Sequence, residues 1–175
     1  MIAYHIDRCN LLCPGQTITL SPNPSLMASS LFSESRVSKH GEKYLGDCFA
    51  PELGSYLIEY NYELVRQKFF PDCISRFQSF FALERIEDIL HWPEFLSSPF
   101  KLLEIEIPHT NFQKFDASFL AGAPNLIDNL FWSPQQTFDN SLKYWNGEFS
   151  SSPKPELLIL PPVIVKNEIP LTIDF

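Results

Sequence analysis

Three short segments of the chain carry side chains that suit chemistry on a sugar or a phosphate. They read YHIDR at residues 4–8, SRFQSFF at 75–81 and PELLILPP at 155–162. The carboxylate of Glu156, held on a strand, would stabilise a cationic, oxocarbenium-like transition state. The guanidinium of Arg76 would clamp a phosphate or a ribose. The segments therefore indicate a ligand that contains a ribose or a phosphate.

The same segments also have structural interpretations that the residues alone leave open. His5 can be a half-buried strand histidine instead of a ligand contact, and Glu156 can be the polar edge of a sheet. Phe77 would stack on a flat ring if it faces a ligand, whereas in a core strand it only packs. The sequence has no P-loop, Gly-rich dinucleotide fingerprint or Ser–His–Asp order that would compete.

Hydrophobic periodicity and turn residues predict the elements that position these segments. Helices are expected at 51–70, 83–96 and 137–147. Strands are expected at 2–8, 15–20, 75–83, 100–108 and 156–175, the last one interrupted by Pro161 and Pro162. Residues 111–136 are expected to be irregular, and about 21–50 to form a long, mobile loop. This order predicts an α+β fold with a mixed sheet.

Side-chain spacing also predicts which residues face the core. Large residues recur at intervals of three and four in the helix at 51–70: Leu53, Tyr56, Leu57, Tyr60 and Leu64. In the helix at 83–96, four residues are expected to face inward: Leu83, Ile86, Ile89 and Leu90. Glu63 and Arg66 of the same helix are expected to form a surface ion pair. Tyr144 and Trp145, near the end of the last predicted helix, are expected to pack in the core.

The bulk composition indicates one acidic domain over residues 1–175. Hydrophobic residues make up 45% of the 175 residues, which is ample for a packed core. The net charge of −8 excludes bulk attraction to a nucleic-acid backbone, so nucleic acid would need local basic contacts. Because only 19% of the residues are charged, we expect a partner to cover part of the surface.

Cysteine and histidine spacing predicts no metal site. The cysteines have poor spacing for zinc and are expected to be ordinary buried thiols: Cys9, Cys13, Cys48 and Cys73. Three histidines form no metal-ligand pattern and receive no role: His40, His91 and His109. We expect a cytoplasmic protein without signal peptide or membrane span, because the N-terminus lacks the required pattern and no apolar run approaches about 18 residues.

The ordered combination of the three segments resembles the core of the ADP-ribosyltransferase superfamily. That superfamily has a histidine or arginine on its first core strand, an aromatic or Ser-containing middle strand, and a glutamate on a late strand. The histidine makes this chain similar to the diphtheria-toxin and poly-ADP-ribose-polymerase branch. A closer likeness, to an uncharacterised bacterial family of unknown function, rests on these residues: Tyr4-His5, Val65-Arg66, Phe70-Pro71, Ser75-Arg76, Trp92 and Tyr144-Trp145.

The resemblance implies a split, mostly antiparallel sheet with flanking helices, and NAD as a substrate. His5 would hold the ribose on the nicotinamide side, and Glu156 would bond a ribose hydroxyl and stabilise positive charge as nicotinamide leaves. The other residues implied to contact NAD are Tyr4 or Phe77 as a stacking ring, and Ser75 and Arg76 near the ribose or a phosphate.

The resemblance also implies a mono-ADP-ribosyltransferase that acts as a bacterial or phage-defence toxin. Lys154 stands where arginine-modifying members have Glu or Gln, which argues against protein arginine as acceptor. The expected acceptor is a base of single-stranded RNA or DNA, contacted by a basic rim that contains Arg8, Arg36, Lys39 and Lys43. Two alternatives stay open: a protein-directed transferase, and a catalytically inactive binding module held by a partner such as an antitoxin.

Overall fold

The computed structural model of the protein has an α+β fold with antiparallel sheets and several helices. It describes residues 1–45, 53–96, 99–108, 111–120 and 133–170. The predicted α+β class is confirmed. Every strand pair within this part of the chain is antiparallel, so the parallel pairs of a mixed sheet are missing from it. No helix in these ranges is long and apolar enough to cross a membrane.

Nine strands are described, and they form three sheets. In chain order they are β1 (Ile2–Asp7), β2 (Thr17–Ile18), β3 (Ser21–Pro22), β4 (Arg36–Val37), β5 (Phe80–Ala82), β6 (Lys101–Glu106), β7 (Phe112–Asp116), β8 (Pro155–Ile159) and β9 (Val163–Ile169). The first sheet has the order β1-β6-β9-β2, and the second has the order β5-β8-β7. Strands β3 and β4 form a small separate ribbon.

The two larger sheets meet beside His5. Tyr4 on β1 exchanges two backbone hydrogen bonds with Leu83, which follows β5, at N···O distances of 2.9 and 2.7 Å. Strand β8 is the centre of the second sheet, with Glu156 opposite Phe115 of β7. Strand β5 also pairs with β8. It therefore lies between β1, which carries His5, and β8, which carries Glu156.

Five α-helices and three short 3-10 helices complete the described fold. The α-helices are α1 (Leu26–Leu31), α2 (Lys39–Leu45), α3 (Leu53–Phe69), α4 (Pro93–Leu96) and α5 (Pro134–Trp145). The 3-10 helices are Arg76–Gln78, Ile86–His91 and Ala117–Phe119. The helix predicted at 51–70 corresponds to α3, and residues 51–52 lie outside the described ranges; the helix predicted at 137–147 corresponds to α5, which begins three residues earlier and ends at Trp145. The predicted helix at 83–96 is instead a 3-10 helix followed by α4, since Pro93 interrupts the backbone ladder.

Helix α3 turns a different face to the core from the one predicted. Leu57 and Leu64, two of the recurring apolar residues, are 39% and 50% exposed. Ile86 and Leu90 are 36% and 71% exposed, so their expected inward position is wrong. Among residues 55–69 of α3, the buried ones are Glu59, Tyr62, Glu63, Val65 and Arg66. Periodicity of apolar residues could not identify this face, because it carries charges that are neutralised by partners elsewhere in the fold. Tyr144 and Trp145 of α5 are buried, as predicted.

Three expected irregular or extended segments have other structures. The expected loop at 21–50 contains α1, α2 and the β3–β4 ribbon within residues 21–45; residues 46–50 lie outside the described ranges. This segment folds because Ser25 caps α1 and because apolar residues from it pack around Phe77. Residues 111–136 are expected to be irregular, yet they contain β7 and the first residues of α5; residues 121–132 lie outside the described ranges. The expected strand at 75–83 begins as a 3-10 helix that Ser75 caps.

Cys9 and Cys13 are exposed, so their expected burial is wrong.

Candidate functional site

A cavity of about 240 Å³ lies where the two larger sheets meet. Four apolar residues from β5, the segments that follow it and α4 form one wall: Phe81, Leu83, Trp92 and Phe95. The polar residues that line the cavity are Tyr4 and His5 from β1, His40 from α2, Arg76, and Glu156 from β8. We call this space the aromatic cavity. Four of the residues predicted from sequence, Tyr4, His5, Arg76 and Glu156, therefore meet in one place.

The guanidinium of Arg76 is the centre of a buried charge cluster. It donates two hydrogen bonds to Glu59 on α3, from Nε to Oε2 and from Nη2 to Oε1, each 2.9 Å long. Its Nη1 donates to Glu156 Oε1 and, at 2.8 Å, to the Tyr144 hydroxyl. Arg76 and Glu156 are 6% exposed and Glu59 is 7% exposed, so water screens these charges little.

The protonation of this cluster follows from burial and from its partners. Burial alone would raise the pKa of Glu59, but Arg76 and His40 beside it outweigh burial and hold that pKa well below its usual range. Burial alone would lower the pKa of Arg76, but Glu156 and Glu59 raise it well above its usual value. Arg76 is therefore a cation and Glu59 an anion at neutral pH.

Glu156 is held by a second donor besides Arg76. The Tyr144 hydroxyl donates to Glu156 Oε1 at 2.7 Å. Burial, with Glu156 as a further contributor, raises the pKa of Tyr144 well above its usual value, so the phenol stays protonated. Within the described residues Glu156 Oε2 accepts no hydrogen bond. One oxygen of the carboxylate is therefore held by two donors, on a residue that lines the aromatic cavity.

The imidazole of His5 is fixed at one nitrogen and lines the cavity. Its Nδ1 lies 2.7 Å from the carbonyl oxygen of Phe81, which selects the tautomer with the proton on Nδ1. The ring packs against Phe80 at a centroid distance of 4.3 Å. Burial lowers the pKa of His5, so the ring is neutral at pH 7 and its Nε2 can accept a hydrogen bond from a ligand hydroxyl.

Two residues predicted to contact a ligand lie away from the aromatic cavity. Phe77 has no exposed surface and packs against Val37, Tyr44 and Leu45 in a separate part of the core. Ser75 is 3% exposed, and its hydroxyl donates to Glu63 Oε2 at 2.8 Å. Phe81, four residues after Phe77, is the aromatic residue of this segment that lines the cavity.

Glu63 and Arg66 form a second buried cluster beside the first. Arg66 Nη2 donates to Glu63 Oε1 at 2.8 Å, and Nη1 donates to the carbonyl oxygen of Cys73 at 2.8 Å. Both residues are buried, so the predicted surface ion pair is wrong. Neither residue lines the aromatic cavity. The pair fixes the chain that leads from α3 to Arg76.

Sequence reasoning missed three members of the site: Glu59, His40 and Tyr144. His40 Nε2 lies 3.1 Å from Glu59 Oε1, and its ring packs on Phe81 at 4.7 Å. A signal for Glu59 existed, because it shares one helix face with Tyr62 and Glu63, which are spaced three and four residues away. Nothing in the sequence linked His40 or the Tyr144 hydroxyl to this cluster, since both contacts join distant parts of the chain.

A second cavity of about 270 Å³ adjoins the first, and His5, His40 and Phe81 line both. Its other walls include Leu12 and Pro161, and Lys39 lines it as well. Together the two cavities form a divided cleft of the size range that small-molecule ligands occupy.

The fold and the site define an α+β protein with a buried Glu–Arg–Glu cluster at the floor of an aromatic cleft. A family model described as "Protein of unknown function (DUF2441)" matches residues 3–170. Because the match spans almost the whole chain, the protein belongs to the DUF2441 family. No curated protein matches the sequence.

Proposed function

We propose that the protein is an NAD-dependent mono-ADP-ribosyltransferase with an ADP-ribosyltransferase-like fold. One observation carries the proposal: His5 from β1 and Glu156 from β8 line the same aromatic-walled cavity. The order histidine strand, Ser-Arg segment, glutamate strand resembles that of the superfamily core and favours this pairing. If the side chain of His5 or Glu156 lay on the opposite face of its sheet, the two residues could not share a site.

The cavity has the chemical character that a nicotinamide ring needs. Phe81 and Trp92 offer flat apolar surfaces on which a planar ring packs. The ring of NAD is a pyridinium cation, and the Glu59–Arg76–Glu156 cluster has more negative than positive groups. Aromatic faces and nearby carboxylates both favour a cationic ring over water.

Glu156 and His5 would each contact a different hydroxyl of the ribose. The Nδ1–H of His5 donates to the carbonyl oxygen of Phe81, so Nε2 would accept a hydrogen bond from a ribose hydroxyl and orient the sugar. Glu156 Oε2 would accept a second ribose hydroxyl and face the positive charge that develops on the anomeric carbon as nicotinamide leaves. Arg76 and Tyr144 hold Oε1, so the carboxylate keeps one orientation.

The proposed acceptor is a base of single-stranded nucleic acid, modified by a bacterial or phage-defence toxin in the cytoplasm. Arg8, Arg36, Lys39 and Lys43 are exposed, and Lys39 lines the second cavity, next to the wall it shares with the aromatic cavity. These cations would contact phosphates locally, although the whole chain is acidic. A toxin of this kind would be held by an antitoxin or another protein partner until released.

A catalytically inactive binding module is the second candidate. The observation in its favour is that Arg76 and Tyr144 already occupy Glu156 Oε1. A module of this kind would bind NAD or a related ribonucleotide without cleaving it. A transferase that modifies protein instead of nucleic acid is the remaining alternative.

Transfer of labelled ADP-ribose tests the proposal and names the acceptor. Purified protein would be incubated with adenine-labelled NAD and separate preparations of protein, single-stranded DNA and RNA. We expect label on nucleic acid with the wild type and with Glu168→Gln, a matched variant at an exposed carboxylate of β9. Glu156→Gln should transfer at least about 100-fold less. Label on protein alone would replace the nucleic-acid acceptor, and label nowhere with no nicotinamide released would favour the binding module.

A further inference from the structure

The charges around the aromatic cavity do not cancel. Among the described residues that line it, Arg76 and Glu156 carry the charges, and Glu59 stands behind Arg76 without lining the cavity. One guanidinium thus faces two carboxylates. His40 also lines the cavity, with Nε2 3.1 Å from Glu59 Oε1, so the floor has a net charge of about one negative unit when both imidazoles are neutral.

The other cations near the cavity do not neutralise this charge. Arg8 lies over the Phe95 ring at 4.9 Å and Lys154 over the Trp92 ring at 5.5 Å. Arg8 is exposed, and Lys154 is paired with Glu94 at 2.7 Å. Water screens charges at the surface far more than it screens the buried cluster.

We infer that Glu59 is a specificity-determining residue that makes the aromatic cavity prefer a cationic planar ring over a neutral ring of the same shape. Glu59 acts through Arg76, because its two hydrogen bonds occupy Nε and Nη2 of the guanidinium. Without Glu59, the charge of Arg76 would cancel that of Glu156 alone. The cavity would then lose its preference for a cation while keeping its aromatic wall.

The same charge preference would help the cleft to release nicotinamide after cleavage, a consequence that rests on the proposed function. When the bond between the ribose anomeric carbon and the ring nitrogen breaks, its electron pair goes to the nitrogen. The ring leaves as neutral nicotinamide, and the anomeric carbon takes the positive charge until the acceptor supplies an electron pair. The negative floor therefore favours binding of the cationic ring before cleavage but does not favour binding of the neutral nicotinamide that is formed.

Binding of two small probes tests the charge preference without any reaction. The probes are 1-methylnicotinamide, a cation, and nicotinamide, its neutral counterpart, titrated separately and followed by NMR at pH 8.5. This pH lies above the ordinary range of imidazole titration. We expect the wild type to prefer the cation at least about tenfold and Glu59→Gln to reduce that ratio to about one.

Two further variants separate a charge effect from a structural one. Glu63→Gln removes the same charge from a buried residue one turn along α3, paired with Arg66, and should leave the ratio unchanged. Glu59→Gln combined with Arg76→Gln restores one net negative charge and should restore the preference. If the double variant does not fold, the comparison of Glu59→Gln with Glu63→Gln still distinguishes a charge effect of Glu59 from a structural effect.

The outcomes are distinct from those that test catalysis. A wild-type ratio near one, or an equal loss of preference in Glu59→Gln and Glu63→Gln, would overturn the inference about Glu59. Preference for the cation together with no release of nicotinamide from NAD would keep the inference and refute the transferase. If NAD is cleaved, the ratio of the nicotinamide inhibition constant to the KM for NAD should fall at least about tenfold in Glu59→Gln; an unchanged ratio would refute the proposed route of product release.

Discussion

Replacement of Arg76 by glutamine should destabilise the protein more than any substitution of an exposed cation. Arg76 donates hydrogen bonds to two buried carboxylates, Glu59 and Glu156, and to the Tyr144 hydroxyl. Arg76→Gln keeps much of the side-chain volume but removes the positive charge. Two carboxylates would then remain buried without a cation between them.

The size of the effect follows from the burial of the partners. Removing one partner of a buried ion pair costs about 3–5 kcal/mol, because the other charge stays behind in a medium that solvates it poorly. Glu59 and Glu156 are 7% and 6% exposed, which places this cluster in the buried class. We therefore expect Arg76→Gln to lower the free energy of unfolding by about 3–5 kcal/mol at pH 7.

The loss should shrink in acid, and the sign follows from Glu59. In the wild type, burial raises the pKa of Glu59 but Arg76 and His40 hold it well below the usual value of 4.5. That stabilisation is complete above the unfolded pKa and is lost as the pH falls through the folded pKa. In Arg76→Gln the guanidinium that opposes the effect of burial is gone, so the ionised form of Glu59 destabilises the variant as the pH rises. The two proteins should therefore differ less at pH 4 than at pH 7.

Urea unfolding followed by tryptophan fluorescence measures both quantities. Lys166→Gln is the matched control, since Lys166 and its partner Glu106 are both exposed, and it should leave the unfolding free energy nearly unchanged. A loss below about 1 kcal/mol in Arg76→Gln, or a loss that is equal at pH 4 and pH 7, would refute the reasoning about this cluster.

Three further substitutions test neighbouring contacts, each by urea unfolding. Tyr144→Phe removes a buried hydrogen bond to Glu156 and should cost about 1.5–3 kcal/mol, while a neutral result would show that the hydroxyl contributes nothing. Ser75→Ala removes the donor to Glu63 at 2.8 Å and a helix cap, and should cost about 1–2 kcal/mol; Ser29→Ala on the surface is its control. Gly41→Ala would place a Cβ 2.2 Å from a backbone carbonyl oxygen, so a loss of roughly 1–3 kcal/mol is expected, and full stability would contradict the packing of α2.

The parts of the fold that sequence predicted are those with strong local periodicity. Strand β6 alternates apolar and polar residues, and α3 is long and lacks internal proline, so local preferences alone specify them. Glu156, at the head of an aliphatic run broken by Pro161, was singled out for the same reason. These signals are local and need no knowledge of the partners.

The parts that sequence could not predict depend on contacts between distant segments. The buried face of α3 was missed because Glu59 and Glu63 look like surface residues until Arg76 and Arg66 are placed beside them. Phe77 was expected to face a ligand, but short-range alternation could not foresee the 3-10 helix that turns it into the core.

Release of nicotinamide from NAD, quantified by chromatography, is the most direct test of the proposed transferase activity. It requires no knowledge of the acceptor if the reaction contains a crude nucleic-acid extract. We expect steady release by the wild type and by Glu168→Gln, and a rate at least about 100-fold lower for a folded Glu156→Gln protein. Equal release by the wild type and Glu156→Gln would refute the proposed transferase, as would no release by the wild type at saturating NAD.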